Sequence, residues 1–451
     1  MKNFSRMVRM MKTIEQINER IRSGKAVVLT AEEVVQLAKQ SSPKQIAQTV
    51  DVVTTATFAP MCSSGAFINF GHTIPPMRME EIDLSNVQVY GGLAAVDGYI
   101  GATQESKKDR RFGGAHIIEA LISGRDLYLR ASGKGTDCYP RKYFEGYINK
   151  DMINDFFLFN PRNAYQNYAA ATNSSQRTIY TYMGKLLPNY GNVTYSTSGE
   201  LSPLLKDPKM LTIGLGTKIF LCGGEGYVVW PGTQFRNSVK VNAHGIPIAS
   251  ARTLAVIGDA KKMNPRYLKA AYFKNYGVTL FVGIGVPIPI LDEEIAYYVS
   301  RSDQEIETEL RDYGQLGKPV ICQVNYAQLK SGWIDINGKK VKTSSISSLS
   351  MAREIASVLK GWINEGEFLL TQPVKLFSEQ RSLKVLEEKT HSEESGFEKP
   401  TCVDCGLCVS LCSFDALMLI DGKFTFIADK CVLCGQCSDA CPVGVKLPPD
   451  G

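Results

Sequence analysis

Isoleucines at 14, 17 and 21 recur at the helical period with polar residues between them, so residues 13–22 predict an amphipathic helix. Thr30 and Glu33 form a capping-box pair that opens a second helix over 31–39. The β-branched run VDVVTTATF at 50–58 predicts a strand, closed by Pro60. Cys62, in Met61-Cys62-Ser63-Ser64-Gly65, therefore sits just past a strand end. A parallel case follows: a helix over 115–122 stopped at Gly124, a strand over 126–131, and a loop running from Gly133 to Cys138. Farther on, 211–221, 226–230, 252–257, 278–282 and 320–326 predict strands, and 263–273, 292–300, 349–359 and 378–388 predict helices. Strands mixed with helices imply an α/β or α+β body on a mixed sheet, with strand order left open.

The run EEKTHSEESGFEKP at 387–400 is polar and nearly free of apolar residues, so it predicts a linker between a body at 1–386 and a tail at 401–451. A chain of 451 residues exceeds what one core usually serves. With 44% hydrophobic and 21% charged residues it is globular in composition, neither disordered nor collagen-like. Its longest uncharged apolar stretch, 277–291, is interrupted by Gly283, Gly285, Pro287 and Pro289 and is too short to span a membrane. The N-terminus lacks the apolar core of a secretory signal, which points to the cytoplasm, with Met10 or Met11 as alternative starts to Met1. The net charge of +6 divides into −3 for 401–451 and +9 for the rest. The cations are scattered rather than striped, so no nucleic-acid partner is expected.

Eight of the 12 cysteines fall in the last 51 residues. Cys402-x2-Cys405-x2-Cys408-x3-Cys412 recurs 29 positions later as Cys431-x2-Cys434-x2-Cys437-x3-Cys441-Pro442. Three closely spaced thiolates grip one cubane and the fourth reaches the other. Cys402, Cys405, Cys408 and Cys441 are thus assigned to one [4Fe–4S] cluster, and Cys431, Cys434, Cys437 and Cys412 to a second. Zinc would have little use for eight cysteines so crossed. Ser413 stands where the second half has Pro442, which loosens a turn without removing a ligand. The tail resembles bacterial-type two-cluster ferredoxins, which implies low-potential one-electron transfer. Gly406 and Gly435 allow close backbone approach to a cluster, and Phe414, Leu417, Phe424 and Phe426 supply a small core that depends on the clusters to fold.

In the body, Gly214-Leu215-Gly216 and Gly224-Glu225-Gly226 begin like dinucleotide loops but lack the third glycine. His72, His116, His244 and His391 are too scattered for a metal triad or a Ser/His hydrolase. Cysteine chemistry is the better candidate. Lys134, Arg141 and Lys142 flank Cys138, and the Gly133/Gly135 turn is suited to an anion nest that would favour a thiolate. Cys62 has a polar setting, whereas Cys222 (IFLCGG) and Cys322 (VICQV) read as buried, inert thiols.

The body, roughly 12–377, resembles the homocysteine-biosynthesis family of archaea and anaerobic bacteria. The match rests on KTIEQINERIRSGKAVVLTAEE from Lys12, APMCSSGAFINFGH from Ala59, YGGLAAVDGYIGAT from Tyr90, GKGTDCYPRK from Gly133, IGLGTKIFLCGGEGYVVWPGTQF from Ile213 and YGVTLFVGIGVPIPILDEEIA from Tyr276. Cys222 departs from it, where glycine is expected. The resemblance implies reductive sulfur transfer to L-aspartate 4-semialdehyde, with aspartate semialdehyde and sulfide as small-molecule partners and a redox protein or other electron donor. It places the two functional cysteines on Cys62 and Cys138, with Cys138 carrying sulfur. On that reading sulfide reaching Cys138 forms a persulfide whose terminal sulfur attacks the aldehyde, Cys62 resolves the product through a Cys62–Cys138 disulfide, and reduction by the clusters resets the pair. Arg78, Arg110 or Arg111 is expected to bind the substrate carboxylate. A ferredoxin-linked reductase of a disulfide or small carbonyl compound, and a non-enzymatic electron-transfer adaptor, are the rival readings. Oligomeric state is left open.

Overall fold

The computed structural model describes residues 12–377, 381–386 and 402–446, so the expected linker at 387–400 lies outside the described residues. The chain divides into two compact units, 1–384 and 385–451. Among the described residues no helix is long and apolar enough to cross a membrane.

The first unit is α+β. Its largest sheet runs, in spatial order, Val28–Thr30, Val52–Pro60, Gly277–Pro289, Lys218–Leu221, Gly224–Pro231, Leu254–Asp259, Asp155–Asn163, Gly65–Asn69 and Asp97–Gly101. Leu268–Phe273 pairs with the near half of Gly277–Pro289 as a tenth strand. Only the first pair is parallel; every other pairing is antiparallel. A mixed six-stranded sheet (Val320–Asn325, Glu307–Asp312, Ala170–Thr172, Val193–Tyr195, Lys339–Ser345, Trp333–Ile336) and an antiparallel four-stranded sheet (Val87–Val89, Glu81–Leu84, Leu127–Ser132, Tyr143–Ile148) complete the unit.

One side of the large sheet is covered by helices whose capping was legible in the sequence. Thr13 and Thr30 cap Ile14–Arg22 and Ala31–Leu37 through reciprocal boxes with Gln16 and Glu33. Helix Leu349–Asn364 buries Ala352, Ile355, Ala356, Leu359 and Ile363 against Val52, Val53 and Ala56. The contact is close because Gly283 lies beneath it: a Cβ there would stand 2.8 Å from Ile355 Cδ1 and 2.9 Å from the Tyr267 carbonyl oxygen. The glycines that interrupt the apolar run at 277–291 thus serve helix–sheet packing.

Two predicted helices are corrected. Over 263–273 the chain forms a 3-10 turn, Pro265–Tyr267, and then the strand Leu268–Phe273, because register with Val278–Val282 overrides the helix propensity of Leu, Lys and Ala. Of 378–388, the described residues 381–386 carry no regular structure. Elsewhere the predicted elements are present with shifted ends; the expected strand at 211–221, for example, divides into Gly214–Leu215 and Lys218–Leu221.

Cys222 and Gly223 form the two-residue turn between Lys218–Leu221 and Gly224–Pro231, with φ of 52° and 88°. Positive φ at both central positions suits the right-handed twist of a hairpin and is the reason glycine is favoured where this chain has cysteine. The side chain is fully buried, and burial pushes its thiol up to about 12.

The second unit holds a hairpin, Leu417–Ile420 with Lys423–Phe426, between two one-turn helices, Leu407–Leu411 and Gln436–Asp439. Gly406 and Gly435 precede these helices with φ of 72° and 78°, the left-handed conformation that lets each chain segment turn around its cysteines.

Candidate active site

Strand Val52–Pro60 ends in a tight turn closed by the Ser64 N–H donating to the Met61 carbonyl at 3.0 Å, which leaves Cys62 and Ser63 at its centre. The turn is pinned from another strand. Fully buried Asn160 donates from Nδ2 to Ser64 Oγ at 2.9 Å, while its Oδ1 accepts from Ser63 Oγ at 3.0 Å and from the Arg162 N–H at 2.8 Å. Ser63 Oγ also approaches the Arg162 carbonyl at 3.2 Å. These bonds of the Asn160 side chain fix the Cys62 turn relative to Arg162.

Cys62 opens on a pocket of about 330 Å³ lined also by Ser63, Arg162, Tyr165, Tyr168, Tyr182 and Tyr276. Tyr276 is hydrogen-bonded to the Cys62 thiol, and burial, reinforced by that thiol, pushes its hydroxyl up to about 12. Burial likewise raises Tyr165 to about 12, partly offset by Arg162. Arg162 Nε is buried and has no hydrogen-bond partner among the described residues. Arg162 is half-buried and lines the pocket, so it is the cation there for a ligand carboxylate. The pocket therefore offers a sulfur atom, a cation for an acid and phenolic proton donors to a molecule of amino-acid size.

Cys138 is placed elsewhere. It is exposed, in a turn closed by mutual backbone hydrogen bonds between Thr136 and Tyr139, and it does not line the pocket. The Tyr139 ring stacks on His72, at 5.8 Å between centroids. His72 lies beyond the far end of strand Gly65–Asn69, and Cys62 lies before its start. Both cysteines are free thiols in the structure, and of the two only Cys62 lines the pocket. The expected anion nest is also spent: the Lys134 N–H donates to Glu80 Oε2 at 3.2 Å, and Arg141 donates Nε to the Tyr143 carbonyl while lying over the Phe144 ring.

The arginines expected to bind the carboxylate do not line the pocket. Arg78 is exposed, with its backbone against Gly133 of the Cys138 loop. Arg110 and Arg111 are exposed and paired with Glu105 at 2.7 Å and Asp109 at 3.0 Å. The pocket cation is Arg162, which the sequence reading passed over. Its only signal was a polar Asn160-Pro161-Arg162-Asn163 closing an aromatic strand.

In the tail, Cys412 lines one cavity together with Cys431, Cys434 and Cys437, which is the crossed set expected from the spacing. Leu411, Phe414, Leu417 and Phe426 form its apolar walls. Backbone N–H groups point at sulfur in equivalent places of the two halves, Ala416 to Cys412 Sγ at 3.3 Å and Val445 to Cys441 Sγ at 3.2 Å. N–H donation from Phe414, Ala416 and Leu417 lowers the Cys412 thiol below its ordinary value. Among the described residues no three His, Cys, Asp or Glu side chains converge on a point for a single ion. Thiolates spread around an apolar cavity and met by amide donors fit a cubane, in which each sulfur binds its own iron.

A family model described as "Homocysteine biosynthesis enzyme, sulfur-incorporation" matches residues 26–370, and one described as "4Fe-4S dicluster domain" matches 401–445. A Methanosarcina acetivorans protein named L-aspartate semialdehyde sulfurtransferase is 48% identical over 380 residues, covering 84% of this chain and 74% of that one. A protein of the same name from Methanocaldococcus jannaschii is 50% identical over 382 residues, covering 81% and 73%. An uncharacterized protein of Methanothermobacter thermautotrophicus is 26% identical over 329 residues, covering 71% and 72%. No solved structure matches.

Proposed function

As this chain belongs to the homocysteine biosynthesis family and carries a 4Fe-4S tail, we propose that it is an L-aspartate semialdehyde sulfurtransferase, reducing the sulfur adduct of the aldehyde to L-homocysteine. The observation that carries this reading is the pairing of Cys62 with Arg162 in one pocket of suitable size.

Starting from hydrogen sulfide, the net reaction takes one aldehyde, one sulfide molecule, two electrons and two protons to one thiol and one water. Arg162 holds a substrate carboxylate and directs the C4 aldehyde toward Cys62. The Cys138 thiolate at the surface takes the outer sulfur of a sulfane donor such as polysulfide, which leaves one sulfur shorter, and Cys62 takes the terminal sulfur of that persulfide by thiol exchange; both steps are redox-neutral. For that exchange the Cys138 loop, of this chain or of a second copy, has to reach the pocket. The terminal sulfur of the Cys62 persulfide then forms the C4–S bond as the C=O π pair moves to oxygen. Sulfur delivered at this sulfane level requires two further electrons to cleave the S–S bond. Two [4Fe–4S] clusters, held by Cys402, Cys405, Cys408, Cys441 and by Cys431, Cys434, Cys437, Cys412, supply electrons singly when bound.

The deciding experiment is an anaerobic assay of the full chain with aspartate semialdehyde, a low-potential reductant and, in parallel reactions, sulfide or polysulfide as the sulfur source. Homocysteine formation is expected, and its absence with clusters fully loaded overturns the reading. An electron-transfer adaptor has no use for a pinned thiol that shares a pocket with an arginine.

A further inference from the structure

The Cys62 pocket holds an acid–base device that its cysteines do not explain. Tyr182 and Met183 form the two-residue turn of the hairpin Ile179–Thr181/Gly184–Leu186, and this tip is pushed into the pocket. The turn is fixed by the Met183 N–H donating to Thr181 Oγ1 at 2.9 Å and by Gly184 at φ 83°. The Tyr182 hydroxyl meets the Tyr313 hydroxyl at 3.1 Å and the Lys318 Nζ at 3.5 Å; neither Tyr313 nor Lys318 lines the pocket. Lys318 Nζ also lies 4.6 Å from the centre of the Tyr313 ring. On the pocket side the Tyr182 ring meets Tyr168 and Tyr276 edge-on, at 5.8 and 6.2 Å, and Tyr276 contacts the Cys62 thiol.

The geometry points to Tyr182 as the proton donor to the aldehyde oxygen, with Lys318, Tyr168 and Tyr313 as positioning residues that hold its phenolate. The inference rests on the sulfurtransferase reading above. As the sulfur nucleophile forms the C4–S bond, the C=O π pair moves to oxygen and takes the Tyr182 proton. Tyr182 recovers a proton from the S–H of the adding group, so the addition is balanced with no change of oxidation state. The surrounding charges agree. Burial opposes ionisation of Tyr182, but hydrogen bonds from Tyr168 and Tyr313 and the Lys318 cation together bring it below the ordinary tyrosine value. Tyr168 and Tyr313 are raised, chiefly by burial, and so keep the protons they donate. The other groups facing this cluster are Tyr165, Arg162 and Cys62 in the pocket and Arg311 beside Tyr313.

The test compares wild type, Tyr182→Phe and Lys318→Met as full-length, cluster-loaded chains. Positioned acids contribute roughly 10²–10⁴-fold. Tyr182→Phe should lower kcat at least about 100-fold with KM within about threefold. A proton donor is lost as pH rises through its pKa, so activity should fall on the alkaline side. Lys318→Met removes the cation that lowers Tyr182 and should move that alkaline limb to higher pH, a shift that mere loosening of the hairpin would not produce. A Tyr182→Phe enzyme with wild-type kcat, or an alkaline limb unmoved in Lys318→Met, overturns the proposal. Failure of the wild type itself to form homocysteine would instead strike the reading beneath it.

Discussion

Replacing Arg162 by Met tests the substrate geometry most directly. The change leaves the scaffold in place, because Arg162 supports the Cys62 turn through its backbone: its N–H donates to Asn160 Oδ1 and its carbonyl accepts from Ser63 Oγ. Methionine fills much of the same volume without a charge. What disappears is the half-buried cation that lines the pocket. A hydrogen bond to a charged group is worth about 1.5–3 kcal/mol, so kcat/KM for aspartate semialdehyde should fall roughly 10- to 150-fold. The control is an aldehyde of similar size without a carboxylate, such as 3-aminopropanal, which cannot use the guanidinium. Arg162→Met should lose nothing on it. Initial rates of thiol formation under anaerobic conditions, with both aldehydes and both enzymes, give the coupling. Equal losses on both aldehydes, or no loss on either, would refute Arg162 as the carboxylate anchor.

Cys62→Ser and Cys138→Ser should each abolish homocysteine formation while iron content stays constant, and intact-mass analysis after sulfur loading should show added sulfur on Cys138 in the Cys62→Ser chain. Anaerobic reconstitution should give close to eight irons per chain, and Cys412→Ser should perturb the cluster held with Cys431, Cys434 and Cys437, visible by electron paramagnetic resonance; an iron content near four would contradict the crossed assignment. Asp51 is buried and accepts from Lys12 Nζ at 2.9 Å, Arg20 Nε at 2.8 Å and the Val27 N–H at 2.8 Å. Burial alone would raise its carboxyl, but these bonds together lower it. Its stabilisation is therefore present above the unfolded value of ~3.9 and is lost as pH falls through the lower folded value. Asp51→Asn should cost about 3 kcal/mol in urea unfolding at pH 7, with the deficit shrinking as the pH is lowered into the acid range.

The tail was the most legible part of the chain, since cubane ligation is written in local spacing and needs no tertiary information. Capping boxes at Thr13 and Thr30 were legible for the same reason: donor and acceptor lie three residues apart. The strand at 268–273 was not, because its partner across the hairpin decides its conformation. The pocket was half legible. Cys62 was singled out by its polar turn, but Arg162, Tyr165, Tyr168, Tyr182 and Tyr276 come from separate stretches of the chain and converge with it only in the folded state. Cys138 was chosen for its cationic neighbours, and the structure shows how weak adjacency is as a guide: Arg141 turns to Tyr143 and Phe144.

The exposure of Cys138 outside the pocket lining also bears on the order of events in turnover. A donor that docks at an exposed turn does not compete with an aldehyde seated beside Arg162. Sulfur loading and aldehyde binding then proceed independently, and each half-reaction can be isolated by withholding the other substrate. High aldehyde concentration should not inhibit loading, nor should excess donor raise the apparent KM for the aldehyde. A single shared site would show mutual inhibition in both directions.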